Sequence, residues 1–296
     1  MGPRLLSKGF VRRRFLVIGA DGLLGGSLHH AWRAAGHDVF GTALSPLANR
    51  EGIVRLDLSQ EADLWPTLPR CEVAVLCAAI TNLDECRRRP DPTRFVNSLQ
   101  TALLARHLAG QGTFVIFMSS NLVFDGSRPF RPAAESPSPR TEYGRQKAEA
   151  EAALASLGSQ CAIVRLTKVF HPGLPLIKNW SQQLSTGQVI RAFGDYVCSP
   201  IALDSVIQAV SRVAETRGHG VFQLSGTEDI SYADIALHLA RRLGCEERLV
   251  HRANGNAGGE LEHLPACSTL DASRAVQELG FRWDAPLRVI DGILPP

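Results

Sequence analysis

No apolar run in this chain of 296 residues approaches the roughly 20 residues that cross a bilayer, so a membrane span is not expected. Charge of one sign is missing too. The 32 basic and 29 acidic residues leave a formal net charge of +3, too balanced to imply a nucleic-acid or membrane-surface partner. The clusters Arg12-Arg13-Arg14 and Arg87-Arg88-Arg89 read as solvated ends of elements. The seven cysteines (71, 77, 86, 161, 198, 245 and 267) are scattered and contain no CxxC pair, and the nine histidines contain no HExxH. Neither a disulfide framework nor a zinc site follows, and reduced thiols in a cytoplasmic protein are expected. Internal repeats and low-complexity tracts are also lacking. The opening "MGPRLLSKGFVRRRFLVIGADGLLGGSL" places basic residues before apolar ones, as a signal peptide does. Asp21 and a series of glycines interrupt the apolar stretch, and a buried first strand explains it better.

What is present is an alternation of short apolar runs with helix-like segments. Strands are expected at 15–19, 38–43, 53–58, 72–79, 113–120, 161–166 and 220–226. Helices are expected at 23–36, 93–109, 141–154, 176–186 and 203–216. Strands apolar at nearly every position are buried on both faces, as in a parallel sheet covered by helices. The βαβα order points to a Rossmann-type, doubly wound α/β fold. From "FHPGLPLIKNW" onward the texture becomes richer in Pro and Gly. A nucleotide-binding domain is therefore assigned to 1–170 and about 201–226, and a smaller discontinuous substrate lobe to about 171–200 and 227–296.

Gly19, Gly22 and Gly25 in "GADGLLG" lie between the first strand and the first helix, with Leu23 and Leu24 opening that helix. A pyrophosphate requires close backbone approach and the N–H donors of a helix N-terminus, so this turn is a dinucleotide site. GxxGxxG alone is a common pattern; its place after the first apolar strand makes it specific. The second strand ends in Thr42, Ala43 and Leu44, without the carboxylate that would accept from an unmodified ribose diol. That leans toward NADP(H) over NAD(H), with Arg50 either a phosphate partner or an ordinary loop residue. Asp57, with Leu58 beside it, either meets the adenine amino group or caps the next helix.

"TEYGRQKAEAEAAL" (141–154) sets Tyr143 and Lys147 one helical turn apart on one face. A cation there would favour the phenolate and lower the tyrosine from its usual pKa of about 10. "SSNLVFDG" (119–126) follows the fifth strand, where ligands of an open parallel sheet bind, so Ser119 and Ser120 can offer a hydroxyl.

These motifs together resemble the extended short-chain dehydrogenases/reductases, and within them the dTDP-4-dehydrorhamnose reductase group. The resemblance runs through "GADGLLG", "CAAITNLDECRRRPDPTRFVN", "SSNLVFDG", "YGRQKAEAE", "RLTKVF", "SPI" and "STLDASRAVQELGF", nearly the whole chain. It implies that Ser120 polarises a substrate carbonyl, Tyr143 protonates it, and Lys147 lowers the tyrosine pKa and holds the nicotinamide ribose. It places Ala78 and Ala79 along the cofactor and matches Asn97 to an asparagine on the following helix. Asn121 and Leu122 depart from the Asp and Tyr usual in the group, which leaves the substrate open.

The implied function is NAD(P)H-dependent reduction of a nucleoside-diphosphate keto-sugar. An epimerase or dehydratase shares the scaffold, but the acid pair of a dehydratase is absent after Ser120. A non-catalytic regulatory subunit, like that of methionine adenosyltransferase, is the alternative from another class. Ser120, Asn121, Lys178 and Asn179 are assigned to the substrate, with Lys178 or Asn179 serving its diphosphate. Trp180 serves either the nucleotide base or the core. The oligomeric state is not legible, a homodimer being one form it could take.

Overall fold

The computed structural model describes residues 11–45, 51–255 and 265–294. The apolar runs of the first half become β1 (Arg14–Ile18), β2 (Asp38–Ala43), β3 (Ile53–Arg55), β4 (Val73–Leu76), β5 (Phe114–Ser120) and β6 (Cys161–Leu166). Four short strands follow: β7 (Lys168–Phe170), β8 (Ile190–Phe193), β9 (Val197–Cys198) and β10 (Pro200–Ala202). The last three are β11 (Gly220–Leu224), β12 (Ile230–Ser231) and β13 (Val250–Ala253). Seven strands form one sheet in the order β11-β6-β5-β4-β1-β2-β3, and every pairing in it is parallel. The order reverses beside β1. That switch point opens a crevice at the carboxyl ends of β1 and β4.

Helices α1 (Leu23–Ala34), α2 (Leu83–Arg88), α3 (Pro90–Arg94), α4 (Thr101–Gly110) and α5 (Glu142–Leu154) intervene between the first six strands. The sheet is buried on both faces: Phe15, Val17 and Ile116 pack toward Leu28 and Trp32, while Leu16, Ile18 and Phe117 pack toward Leu104 and Leu154. This is the doubly wound α/β architecture that the apolar strands imply.

Two strands are shorter than their apolar runs. β3 stops at Arg55 although Leu56 and Leu58 remain buried, because its partner β2 ends at Ala43, whose carbonyl takes the last rung from Leu56 N at 3.1 Å. β4 stops at Leu76 because the N–H groups of Cys77 and Ala78 both donate to the Ile18 carbonyl at 2.9 Å, drawing the chain toward the glycine turn. The expected helix at 93–109 begins at Pro90 and widens into a π-helical turn over Phe95–Gln100. Such turns concentrate at functional sites.

A second core gathers Phe170, Trp180, Leu184, Ile190, Ala236, Leu239 and Ile290. It is built from α6 (Pro175–Ser185), α8 (Tyr232–Arg242) and α10 (Pro286–Ile293) with the small strand pairs β8–β13 and β9–β12. By contrast, α7 (Leu203–Thr216) and α9 (Ser273–Leu279) join the core of the main sheet through Val210, Ala275 and Leu279. The tail after residue 227 therefore serves both cores. Among the described residues, no helix is long and apolar enough to cross a membrane.

Candidate active site

The three glycines of the first turn have different physical reasons. Gly19 has φ +87°, and a Cβ there would stand 2.8 Å from the Ala78 nitrogen. A Cβ on Gly25 would stand 2.1 Å from the Gly19 oxygen, so this glycine lets α1 pack against β1. Gly22 has an ordinary φ of −82°, and a Cβ there would only touch the Gly19 oxygen at 3.5 Å. The fold does not need Gly22; the space in front of it does.

That space is a cavity of about 350 Å³ at the switch point. Gly19, Gly22, Asp57, Leu58, Ala78 and Ala79 all line it, so the ends of β1 and β4 and the turn after β3 converge on one space. Leu23 is 47% exposed and Leu24 packs on the sheet core, so the two leucines shape the helix start and do not line the cavity. Asn97 stands behind the cavity wall. It is wholly buried; its Oδ1 accepts from Ile80 N (2.8 Å), and its Nδ2 donates to Ile80 O (2.9 Å) and Gln146 Oε1 (2.8 Å). It fixes Ile80, which lines the cavity, rather than lining it itself.

The end of β2 shows why no acid stands there. Thr42 is 2% exposed and its Oγ1 accepts from Gly19 N at 3.1 Å, fastening the glycine turn. Asp21, which drew notice in the sequence only as a break in an apolar run, reaches across from that turn. Its Oδ2 accepts from Leu44 N at 3.0 Å and Ser45 N at 3.1 Å, and the residue lines the cavity. Asp57 both faces the cavity and closes a local turn, accepting from the Ser59 hydroxyl (2.6 Å) and amide (2.9 Å). The Ser59 hydroxyl is the chief reason its carboxyl is held below its ordinary range. Arg50 lies outside the described residues.

At the end of β5, Ser120 and Ser119 take different roles. Ser119 is buried and donates to Glu151 Oε1 at 2.6 Å. Glu151 is in turn gripped by Arg165 at 2.7 Å, in an ion pair whose side chains are 6% and 3% exposed. Removing one partner of such a pair leaves a buried charge uncompensated. Ser120 is half-exposed; its Oγ accepts from Leu122 N at 3.2 Å and lies 3.4 Å from Asn121 Oδ1. Asn121 Nδ2 donates to Ser268 Oγ at 3.0 Å, tying the loop to the C-terminal segment.

Helix α5 is brought against this loop by a glycine. Thr141 caps the helix by accepting from Gly144 N at 3.0 Å. A Cβ on Gly144 would stand 2.1 Å from the Leu122 oxygen. Gly144 thus lets the helix close on the turn after Ser120, with Tyr143 the residue before it in the chain. Lys147 is 3% exposed; its Nζ donates to Met118 O at 2.9 Å and lies 5.7 Å from the centre of the Tyr143 ring. Burial pulls the lysine down to about 8. Burial also pushes the Tyr143 phenol above its ordinary value, not below it as the spacing to Lys147 suggests, because loss of water around the hydroxyl dominates.

Lys178 and Asn179 sit on the exposed side of α6, while Ile177 and Trp180 face the second core. Trp180 is therefore a core residue.

A relative in Haloferax volcanii, named a probable low-salt glycan biosynthesis reductase, is 25% identical over 277 residues, covering 89% of this chain and 91% of its own. Methionine adenosyltransferase 2 subunit beta of Xenopus tropicalis is 30% identical over 159 residues, covering 53% of this chain but 47% of its own length. The solved dTDP-4-dehydrorhamnose reductase of Bacillus anthracis, in complex with NADP, superposes with a TM-score of 0.80 at 19% identity, covering 96% of this chain and 99% of that one. This likeness shows the fold. The family model described as the RmlD substrate binding domain matches residues 13–286, and the chain belongs to that family.

Proposed function

We propose that this protein is an NAD(P)H-dependent reductase of a keto group on a nucleoside-diphosphate sugar, with Tyr143 as the proton donor. The observation that carries this is the buried Lys147 ammonium, held on the Met118 carbonyl near the end of β5 and one helical turn from Tyr143. The cavity at the glycine turn fits a dinucleotide, since Gly22 keeps room that the fold itself does not require. Gly19, Gly22 and the N-terminus of α1 would hold the pyrophosphate. Asp57 and Leu58 would face the adenine, and Ala78 and Ala79 would form the opposite wall. Bound NAD(P)H would supply the hydride.

The chain's own residues would handle the oxygen. The Ser120 hydroxyl donates a hydrogen bond to the carbonyl oxygen. Tyr143, kept protonated by its burial, releases its proton to that oxygen as negative charge builds on it. Lys147, charged below a pH of about 8, stabilises the tyrosinate left behind. On the substrate side, Lys178 and Asn179 are assigned to the diphosphate, with the second core forming the lobe that carries them.

Similarity to the methionine adenosyltransferase subunit favours a second reading, a non-catalytic regulatory subunit that binds a sugar nucleotide. Oxidation of NADH and NADPH against a panel of nucleotide-linked keto-sugars separates the two. Turnover with at least one keto-sugar is expected; tight cofactor binding with no turnover on any of them would favour the regulatory subunit.

A further inference from the structure

We infer that Asp21 is the ribose acceptor that β2 lacks, and that it makes the site select NAD(H) over NADP(H). The inference rests on the dinucleotide assignment above. Thr42 cannot serve, because its hydroxyl is turned inward to hold Gly19 N. Asp21 enters the same corner from the glycine turn. Its Oδ2 occupies the Leu44 and Ser45 amides, the two backbone donors that the end of β2 would otherwise offer to an anion. Among the described residues its Oδ1 makes no hydrogen bond, leaving an acceptor for a ribose hydroxyl. Asp21 and Asp57 are the charged residues among those described as lining the cavity, and Arg55 is drawn to Asp57 at 3.7 Å.

A ribose diol and a ribose 2′-phosphate meet this corner differently. The diol donates to the carboxylate. The phosphate can donate little, finds the two amides taken, and brings two negative charges toward a third. At a separation of about 5 Å in a water-like medium, that repulsion alone weakens binding on the order of tenfold. This reverses the lean toward NADP(H) drawn from the bare sequence of β2.

The test is binding to the full chain by fluorescence or calorimetric titration, with no turnover needed. Wild type should bind NADH at least about tenfold more tightly than NADPH, and 5′-AMP more tightly than 2′,5′-ADP. Asp21→Asn can still cap the Leu44 amide through its side-chain oxygen while losing the charge. It should narrow the NADH preference by roughly tenfold, chiefly by tightening NADPH. NADPH binding as tightly as NADH to wild type, or a ratio unchanged in Asp21→Asn, would overturn the assignment and leave Asp21 as a loop cap. If Asp21→Asn does not fold, the wild-type comparison of 5′-AMP with 2′,5′-ADP decides alone. Failure of both NADH and NADPH to bind would instead overturn the dinucleotide site, and this inference with it.

Discussion

Replacing Lys147 by Met tests whether its ammonium is buried with a large desolvation cost. The lysine falls from an ordinary 10.5 to about 8, and burial is the main cause. That gap corresponds to about 3 kcal/mol of destabilisation at neutral pH. The sign follows from proton counting. Between pH 8 and 10.5 the unfolded chain holds the proton and the folded protein does not, so this group's cost fades as pH rises. Lys147→Met keeps most of the volume and removes the charge, but Met118 O loses a donor, at about 1 kcal/mol. The variant should therefore be more stable than wild type by about 2 kcal/mol near pH 7. At about pH 9.5 the advantage should shrink by roughly 2 kcal/mol, to near zero. Urea unfolding followed by circular dichroism at the two pH values measures both differences. A variant less stable than wild type at neutral pH, or an advantage independent of pH, would refute the burial argument. Activity should be lost in either case.

Other perturbations follow from the same geometry. Gly22→Val should leave melting nearly unchanged but weaken NADH binding by tenfold or more on the order of 1–2 kcal/mol, and unchanged affinity in the folded variant would count against the phosphate turn. Gly144→Ala should cost about 1–3 kcal/mol, because its Cβ meets the Leu122 carbonyl, and should lower kcat with it; a wild-type melting curve would show that the helix can shift. Lys178→Ala should raise KM for the sugar nucleotide and leave cofactor affinity intact, the signature of a contact made equally in ground and transition states. A constant KM would move the diphosphate to other residues of the cleft.

Much of this was legible in the sequence, where local physics decides. The apolar strands of the first half, the glycine turn after β1 and the Tyr143–Lys147 spacing all depend on neighbours close in the chain. What was not legible depends on long-range partners. Thr42 meets Gly19, and Asp21 meets Leu44, each across 23 residues of chain, and nothing local shows that Thr42 turns inward while Asp21 caps β2. Asn97 matched the family motif in type and place, yet its amide is spent on Ile80 and Gln146. The tyrosine pKa also escaped, since helical spacing gives the cation but not the water lost around the hydroxyl. Gly144 carried a signal beside Tyr143, but its purpose appears only with Leu122 in place.

Proton donation by Tyr143 is the central claim, and single-turnover hydride transfer in Tyr143→Phe tests it most directly. The enzyme, saturated with reduced cofactor, is mixed with a nucleotide-linked keto-sugar that wild type reduces, and loss of nicotinamide absorbance is followed. The substitution removes the transferable proton and little else, so cofactor affinity should hold while the rate falls by about 10²–10⁴. Hydride transfer at the wild-type rate in Tyr143→Phe would contradict the account.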